Sequence, residues 1–156
     1  MVILDHLILR VRDPAASARF YQEVLGFRHE GRAGPFELVR VNEGLTLDLM
    51  GEAPRDPVHL AFCLNRANLD AVHRRLVERS IAFGSAPFDR SGGPLQKSQG
   101  ARGMADAWYF YDPDGHNLEV RSHEPATHAR QELPSLVAGQ HLGCILNPSQ
   151  CKSRSD

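Results

Sequence analysis

His6, Asp48, His59 and Glu119 are the residues of this chain whose types and spacing could form a reaction centre. Two imidazoles and one or two carboxylates can hold a divalent ion and leave positions for water or substrate, and the set suits Ni, Mn, Fe(II), Co or Zn. One such ion per site would accept two neighbouring substrate oxygens, polarise a carbonyl and stabilise an enediolate or a catecholate as it forms. A carboxylate beside it could carry a proton from one carbon to the next. Glu119 is the first candidate for that base and Asp48 the second.

A histidine at the start of a strand is ordinarily solvated or hydrogen-bonded, so each residue alone says little. Their weight comes from an internal repeat. DHLILRVRD (residues 5–13) and VHLAFCLNR (58–66) share a second-position histidine followed by alternating side chains. After the first, Asp13-Pro14 reads as a helix cap with proline at the first helical position. Ala18, Tyr21, Val24 and Leu25 follow at helical spacing, and Gly26 ends the run. After the second, Asn65 or Asn68 can cap a helix carrying Leu69, Val72 and Leu76. Each helix leads into a hairpin: FELVRV and LTLDLM around Asn42-Glu43-Gly44, then AWYFY and HNLEV around Asp112-Pro113-Asp114-Gly115. Asp48 lies four residues beyond Gly44, and Glu119 four beyond Gly115.

Strand alternation then separates two faces. Leu7, Leu9 and Val11 oppose His6, Ile8 and Arg10. Leu60, Phe62 and Leu64 oppose His59, Ala61 and Cys63. Leu45, Leu47 and Leu49 oppose Thr46, Asp48 and Met50, while Leu118 and Val120 oppose Asn117, Glu119 and Arg121. All four candidate ligands fall on the face without leucines. Burying each large apolar side chain under the helices contributes about 1.5–3 kcal/mol, so the register is fixed by the core and not by the site.

A chain of 156 residues is expected to form one domain. With 18 Lys and Arg against 19 Asp and Glu, it lacks the basic field that attracts nucleic acid or anionic lipid. No apolar run is long enough to span a bilayer, and a cytoplasmic protein is expected. The three cysteines, Cys63, Cys144 and Cys151, have no CxxC spacing; Cys63 reads as a small buried residue. Residues 84–103, rich in Gly, Ser, Pro and basic side chains, read as a loop over the site, where Lys97 and Arg102 could contact an anionic substrate. Past His123 the alternation stops. Residues 124–156 are expected to be a peripheral tail, partly disordered, with one short apolar helix over 133–146.

The stretches DHLILRVRDPAASARFYQEVLGF, HLAF and YFYDPDGHNLEV together resemble the vicinal oxygen chelate superfamily, which includes glyoxalase I, extradiol dioxygenases, fosfomycin-resistance proteins and bleomycin-binding proteins. The resemblance covers residues 1–123, with modules at about 1–52 and 57–123. It implies an α+β fold of two paired βαβββ modules, whose curled mixed sheets enclose a metal pocket with the helices outside. It also implies metal ligands at His6, His59 and Glu119. Asp48 falls where glyoxalase I has a fourth ligand, a glutamate; one methylene shorter, aspartate could bind the metal, bind it through water, or do neither. Arg10 matches an arginine that holds the glutathione end of the glyoxalase I substrate, and Tyr109 a tyrosine used by fosfomycin-resistance enzymes. The implied partners are a small-molecule substrate, a thiol such as glutathione, and a second copy in a homodimer. Metal-dependent glyoxalase-like lyase chemistry is the leading expectation. The alternatives are an extradiol-type dioxygenase, a fosfomycin-type thiol transferase, or a binding protein without catalysis.

Overall fold

In the computed structural model, which describes residues 2–126, the chain folds as two modules, each led by a strand and a helix. The first contains β1 (His6–Val11), α1 (Pro14–Phe20), a π-helical turn (Tyr21–Leu25), β2 (Arg28–Ala33), β3 (Phe36–Asn42) and β4 (Leu45–Gly51). The second contains β5 (His59–Cys63), α2 (Arg66–Glu78), β6 (Phe83–Gly84), β7 (Gln96–Gly100), β8 (Gly103–Tyr111) and β9 (Asn117–Ser122). The caps form where the sequence marks them. Asp13 accepts a hydrogen bond from the Ala16 amide at 3.0 Å, and Asn65 one from the Asn68 amide at 2.8 Å. Gly26 ends the π turn at φ 77°, a left-handed conformation that glycine adopts without a Cβ penalty.

The strands form two open mixed sheets, ordered β1-β4-β3-β2 and β5-β9-β8-β6, with β7 also paired to β8. Within each module the first strand runs parallel to the last. Leu9, Val11, Leu47, Leu49, Phe62, Leu118 and Val120 are buried with Leu69, Val72 and Leu76 of α2 and Tyr21 and Val24 of the π turn in one core. The leucine faces therefore lie beneath the helical elements, as alternation predicts, and the opposite faces carry His6, Asp48, His59 and Glu119.

Buried polar contacts join the modules. The Tyr21 hydroxyl donates to Asp112 at 2.9 Å, and the Arg12 amide donates to Asp114 at 3.0 Å. His116, fully buried, accepts from the Val58 amide through Nδ1 at 3.0 Å; its Nε2 lies 2.8 Å from the Arg10 carbonyl. Because that carbonyl is acceptor-only, Nε2 carries the proton. This histidine is a structural link, as its register away from Glu119 suggests.

Three local expectations need correction. RHEGRA forms the edge strand β2, which the hairpin reading omits, because its polar side chains carry no core-facing alternation. Residues 84–103 are not one loop: Gln96–Gly100 pairs with β8, and only about 85–95 crosses the surface irregularly. Cys63 is exposed and not buried, since its strand register turns it onto the face that no described element covers. Among the described residues no helix is long and apolar enough to cross a membrane. The anticipated tail helix and disordered end lie outside the described residues.

Candidate metal centre

The two candidate pairs occupy the same register in the two sheets. On β1 and β4, His6 pairs with Thr46 and Ile8 with Asp48, so the acid sits opposite the second residue after the histidine. On β5 and β9, His59 pairs with Asn117 and Ala61 with Glu119, repeating that offset. The sequence repeat is thus also a repeat in space.

In the second pair, His59 Nε2 lies 3.3 Å from Glu119 Oε2. Two donors bound about 2.0–2.2 Å from a common ion, at angles near 90–110°, are themselves about 3.0–3.4 Å apart. The pair therefore fits one edge of a coordination sphere. Glu119 is buried with 3% of its surface accessible, and its other oxygen accepts from Arg121 Nη1 at 3.0 Å. Arg121, also buried, donates through Nη2 to the carbonyls of Ser98 at 3.1 Å and Gly103 at 2.7 Å. Its guanidinium fills the space beside Gly100, where a Cβ would come within 1.6 Å of Nη1. Arg121 thus fixes which Glu119 oxygen faces His59 and ties the β7–β8 hairpin to the site.

Tyr109 pairs with Glu119 across β8 and β9 and is buried on the same face. Its hydroxyl lies 2.5 Å from Ser98 Oγ, and its ring stacks with His59 at 6.2 Å between centroids. Burial raises the Tyr109 pKa above the ordinary tyrosine value; the Ser98 hydrogen bond opposes that rise and the Glu119 charge adds to it.

In the first pair, His6 Nδ1 lies 2.9 Å from Asp5, and its pKa is raised by that hydrogen bond and by the charge of Asp48. Asp48 Oδ1 is buried without a hydrogen-bond partner among the described residues. An unpaired buried carboxylate oxygen is costly unless a cation or donor reaches it. Among the described residues, however, no three His, Cys, Asp or Glu side chains of one chain come together as a metal site. The donors that the sequence groups as four stand as two pairs on two sheets.

The other candidates are dispersed. Arg10 is on the His6 face but is engaged by Glu52 at 3.0 Å. Arg102 lies in the β7–β8 turn on the site side, 3.8 Å from Cys63 Sγ. Lys97, in register with Asp106 and 3.7 Å from its carboxylate, faces away from Glu119. Arg121 and Ser98 are the residues that sequence reasoning passed over. Strand alternation places Arg121 on the candidate-ligand face two residues after Glu119, and an arginine in register beside a candidate carboxylate ligand was the available signal. Ser98 gave none, because its strand is polar throughout.

Residues 3–120 match the family model of the Glyoxalase/Bleomycin resistance protein/Dioxygenase superfamily. Among solved structures, the chain superposes on oxidase ChaP-H2 with a TM-score of 0.69 and 32% identity, over 80% of this chain and 95% of that one. Among characterised sequences it is 27% identical to the virulence protein STM3117 of Salmonella typhimurium, over 75% of this chain and 81% of that protein. It is 25% identical to the metallothiol transferase FosB of Lysinibacillus sphaericus, over 76% and 81% of the two chains. With its two strand-led modules and its duplicated histidine–carboxylate register, the chain belongs to the Glyoxalase/Bleomycin resistance protein/Dioxygenase superfamily.

Proposed function

We propose that this protein is a divalent-metal-dependent enzyme whose site is completed between two copies, with His59 and Glu119 of one chain meeting the partner's His6 and the partner's Asp48. The observation that carries this reading is the matched register of two half-sites, each with a histidine and a carboxylate and neither sufficient alone. The exposed Ile8, 48% accessible beside His6 on the face opposite the core, further supports a covering partner. A two-fold dimer would present both half-sites to each other twice.

A metal held there would supply Lewis-acid stabilisation of the negative charge that develops when a proton leaves a carbon beside a carbonyl. The chain's own residues divide the remaining work. Glu119, held on one oxygen by Arg121, acts as a fixed ligand. Asp48, whose Oδ1 has no partner among the described residues, takes the proton and returns it to the adjacent carbon; this reading gives the base role to Asp48, the second candidate, and keeps Glu119 as a ligand. Tyr109, held by Ser98, keeps its proton at neutral pH and donates a hydrogen bond to substrate. The reading is a glyoxalase-like lyase or isomerase acting on a small molecule with two neighbouring oxygens, with a thiol such as glutathione as a candidate co-substrate.

A second reading, oxidation of an oxygen-bearing substrate, is favoured by the 32% identity to oxidase ChaP-H2. One experiment separates them. Protein loaded with Ni or with Fe(II) is offered hemithioacetals and catechols while isomerisation and oxygen uptake are followed. Isomerisation without oxygen uptake supports the first reading, and oxygen uptake confined to Fe(II)-loaded protein supports the second. Loss of metal binding in His59→Ala and Glu119→Ala is required by both.

A further inference from the structure

A cavity of about 540 Å3 opens beside His59, walled by Val58, Pro87, Phe88, Tyr111 and Asn117. His59, Asn117 and Tyr111 are register partners across β5, β9 and β8, so this cavity continues the face that carries Glu119. Glu119 lies two residues farther along β9, about 7 Å at the usual strand rise. Phe88 is 84% accessible, Tyr111 41% and Val58 40%, which leaves an apolar surface exposed next to a candidate ligand.

The wall is held in place from below. Asn117 donates through Nδ2 to the Pro87 carbonyl at 2.9 Å and accepts through Oδ1 from Arg90 at 2.7 Å. The Arg90 guanidinium lies 3.9 Å from the centre of the Tyr111 ring and donates to the Pro87 carbonyl. Its Nε has no hydrogen-bond partner among the described residues but is buried, so burial and not pairing closes that edge to a ligand. Both polar ends of Asn117 are therefore in use, and both Nη atoms of Arg90 are engaged within the protein. What remains for an occupant is the face of Phe88, the open part of Tyr111 and the edge of His59. That surface favours a flat apolar group and offers an anion little.

We infer that the substrate carries an uncharged aromatic group that lies against Phe88 and Tyr111 while its pair of neighbouring oxygens reaches the His59–Glu119 edge. This deepens the metal-dependent reading and rests on it for the position of the oxygen-bearing end.

Hydroxamates test the inference, because acetohydroxamate and 2-naphthohydroxamate present the same two oxygens with different tails. With metal-loaded full-length protein, naphthohydroxamate should bind at least about tenfold more tightly than acetohydroxamate. Phe88→Ala should remove most of that preference and leave acetohydroxamate affinity unchanged, whereas Phe88→Trp should keep it. Phe88 is exposed, so neither variant threatens folding. Equal affinities for the two probes, or a preference unaffected by Phe88→Ala, would overturn the assignment while the metal reading stands. A change in dimer mass in Phe88→Ala without a change in probe preference would also overturn it, marking Phe88 as a contact between copies. 2-Naphthol titrated into chelator-treated protein gives a metal-independent measurement. Binding that Phe88→Ala weakens supports the aromatic pocket even if no metal is ever taken up, and absence of binding overturns it.

Discussion

Arg121 donates to Glu119 across 3.0 Å, with the accessible surface of both side chains below 10%. A guanidinium and a carboxylate buried two residues apart on one strand form a unit whose halves cannot be removed separately without cost. Taking one partner from such a buried pair typically destabilises by about 3–5 kcal/mol, because the remaining charge is left uncompensated. Arg121→Gln should therefore lower unfolding stability by about that amount and weaken metal uptake at His59 and Glu119. Arg121→Lys should recover part of the stability but less of the metal affinity, since ammonium does not reproduce the fork that also holds Ser98 and Gly103. Denaturant unfolding with parallel metal titration checks both, and a wild-type midpoint for Arg121→Gln would remove the pair from the account.

Gly100 exists for Arg121. A Cβ at that position would lie 1.6 Å from Nη1, and Nη2 of the same guanidinium is held by two carbonyls, so it cannot swing aside without losing those bonds. Gly100→Ala should cost about 1–3 kcal/mol in the wild-type background. It should cost much less in Arg121→Gln, where the shorter side chain leaves the space open. A double-mutant cycle by chemical denaturation measures the coupling; strictly additive losses would show that the glycine answers to something else.

The core was legible from strand alternation. Leu9, Leu47, Leu49, Leu118 and Val120 are buried because alternation and burial are one physical fact seen in sequence and in space. The caps at Asp13 and Asn65 were legible for the same kind of reason, since short polar side chains satisfy amides that a helix leaves free. The edge strands β2 and β7 were not legible. RHEGRA and QKSQG present polar residues on both faces, and their pairing is set by the neighbouring strand and not by any apolar pattern of their own. Cys63 shows where register ends as a guide: alternation placed it on the ligand face, but whether that face is covered depends on what packs there. The grouping of His6 with His59 has the same limit, because a repeat shows equivalence and not contact.

His6 gives the site a pH dependence with a definite sign. Its pKa is raised above the ordinary value of about 6.5 by the Asp5 hydrogen bond first and the Asp48 charge second. A raised histidine pKa means that the protonated pair with Asp5 adds stability below the unfolded value, and that this contribution is lost as pH rises through the folded one. A metal ligated by His6, as proposed, would need the neutral ring, so protons and metal would compete there. Asp5→Asn should therefore shift the pH midpoint of metal uptake downward and strengthen binding at slightly acidic pH. Metal titrations across pH 5–8 for wild type and variant check this expectation; a midpoint moved upward, or not at all, would show that His6 is not a ligand.

The assembly of one centre from two chains is tested most directly by complementation. The double variant His6→Ala/Asp48→Ala and the double variant His59→Ala/Glu119→Ala should each bind almost no divalent metal alone. Unfolded together and refolded as a mixture, half of the dimers would be mixed and one of their two sites intact, restoring about one wild-type site in four. Metal counting on the purified mixture should find that fraction. A mixture that binds no more than its separate components, or a single double variant that keeps its metal, would contradict the shared centre.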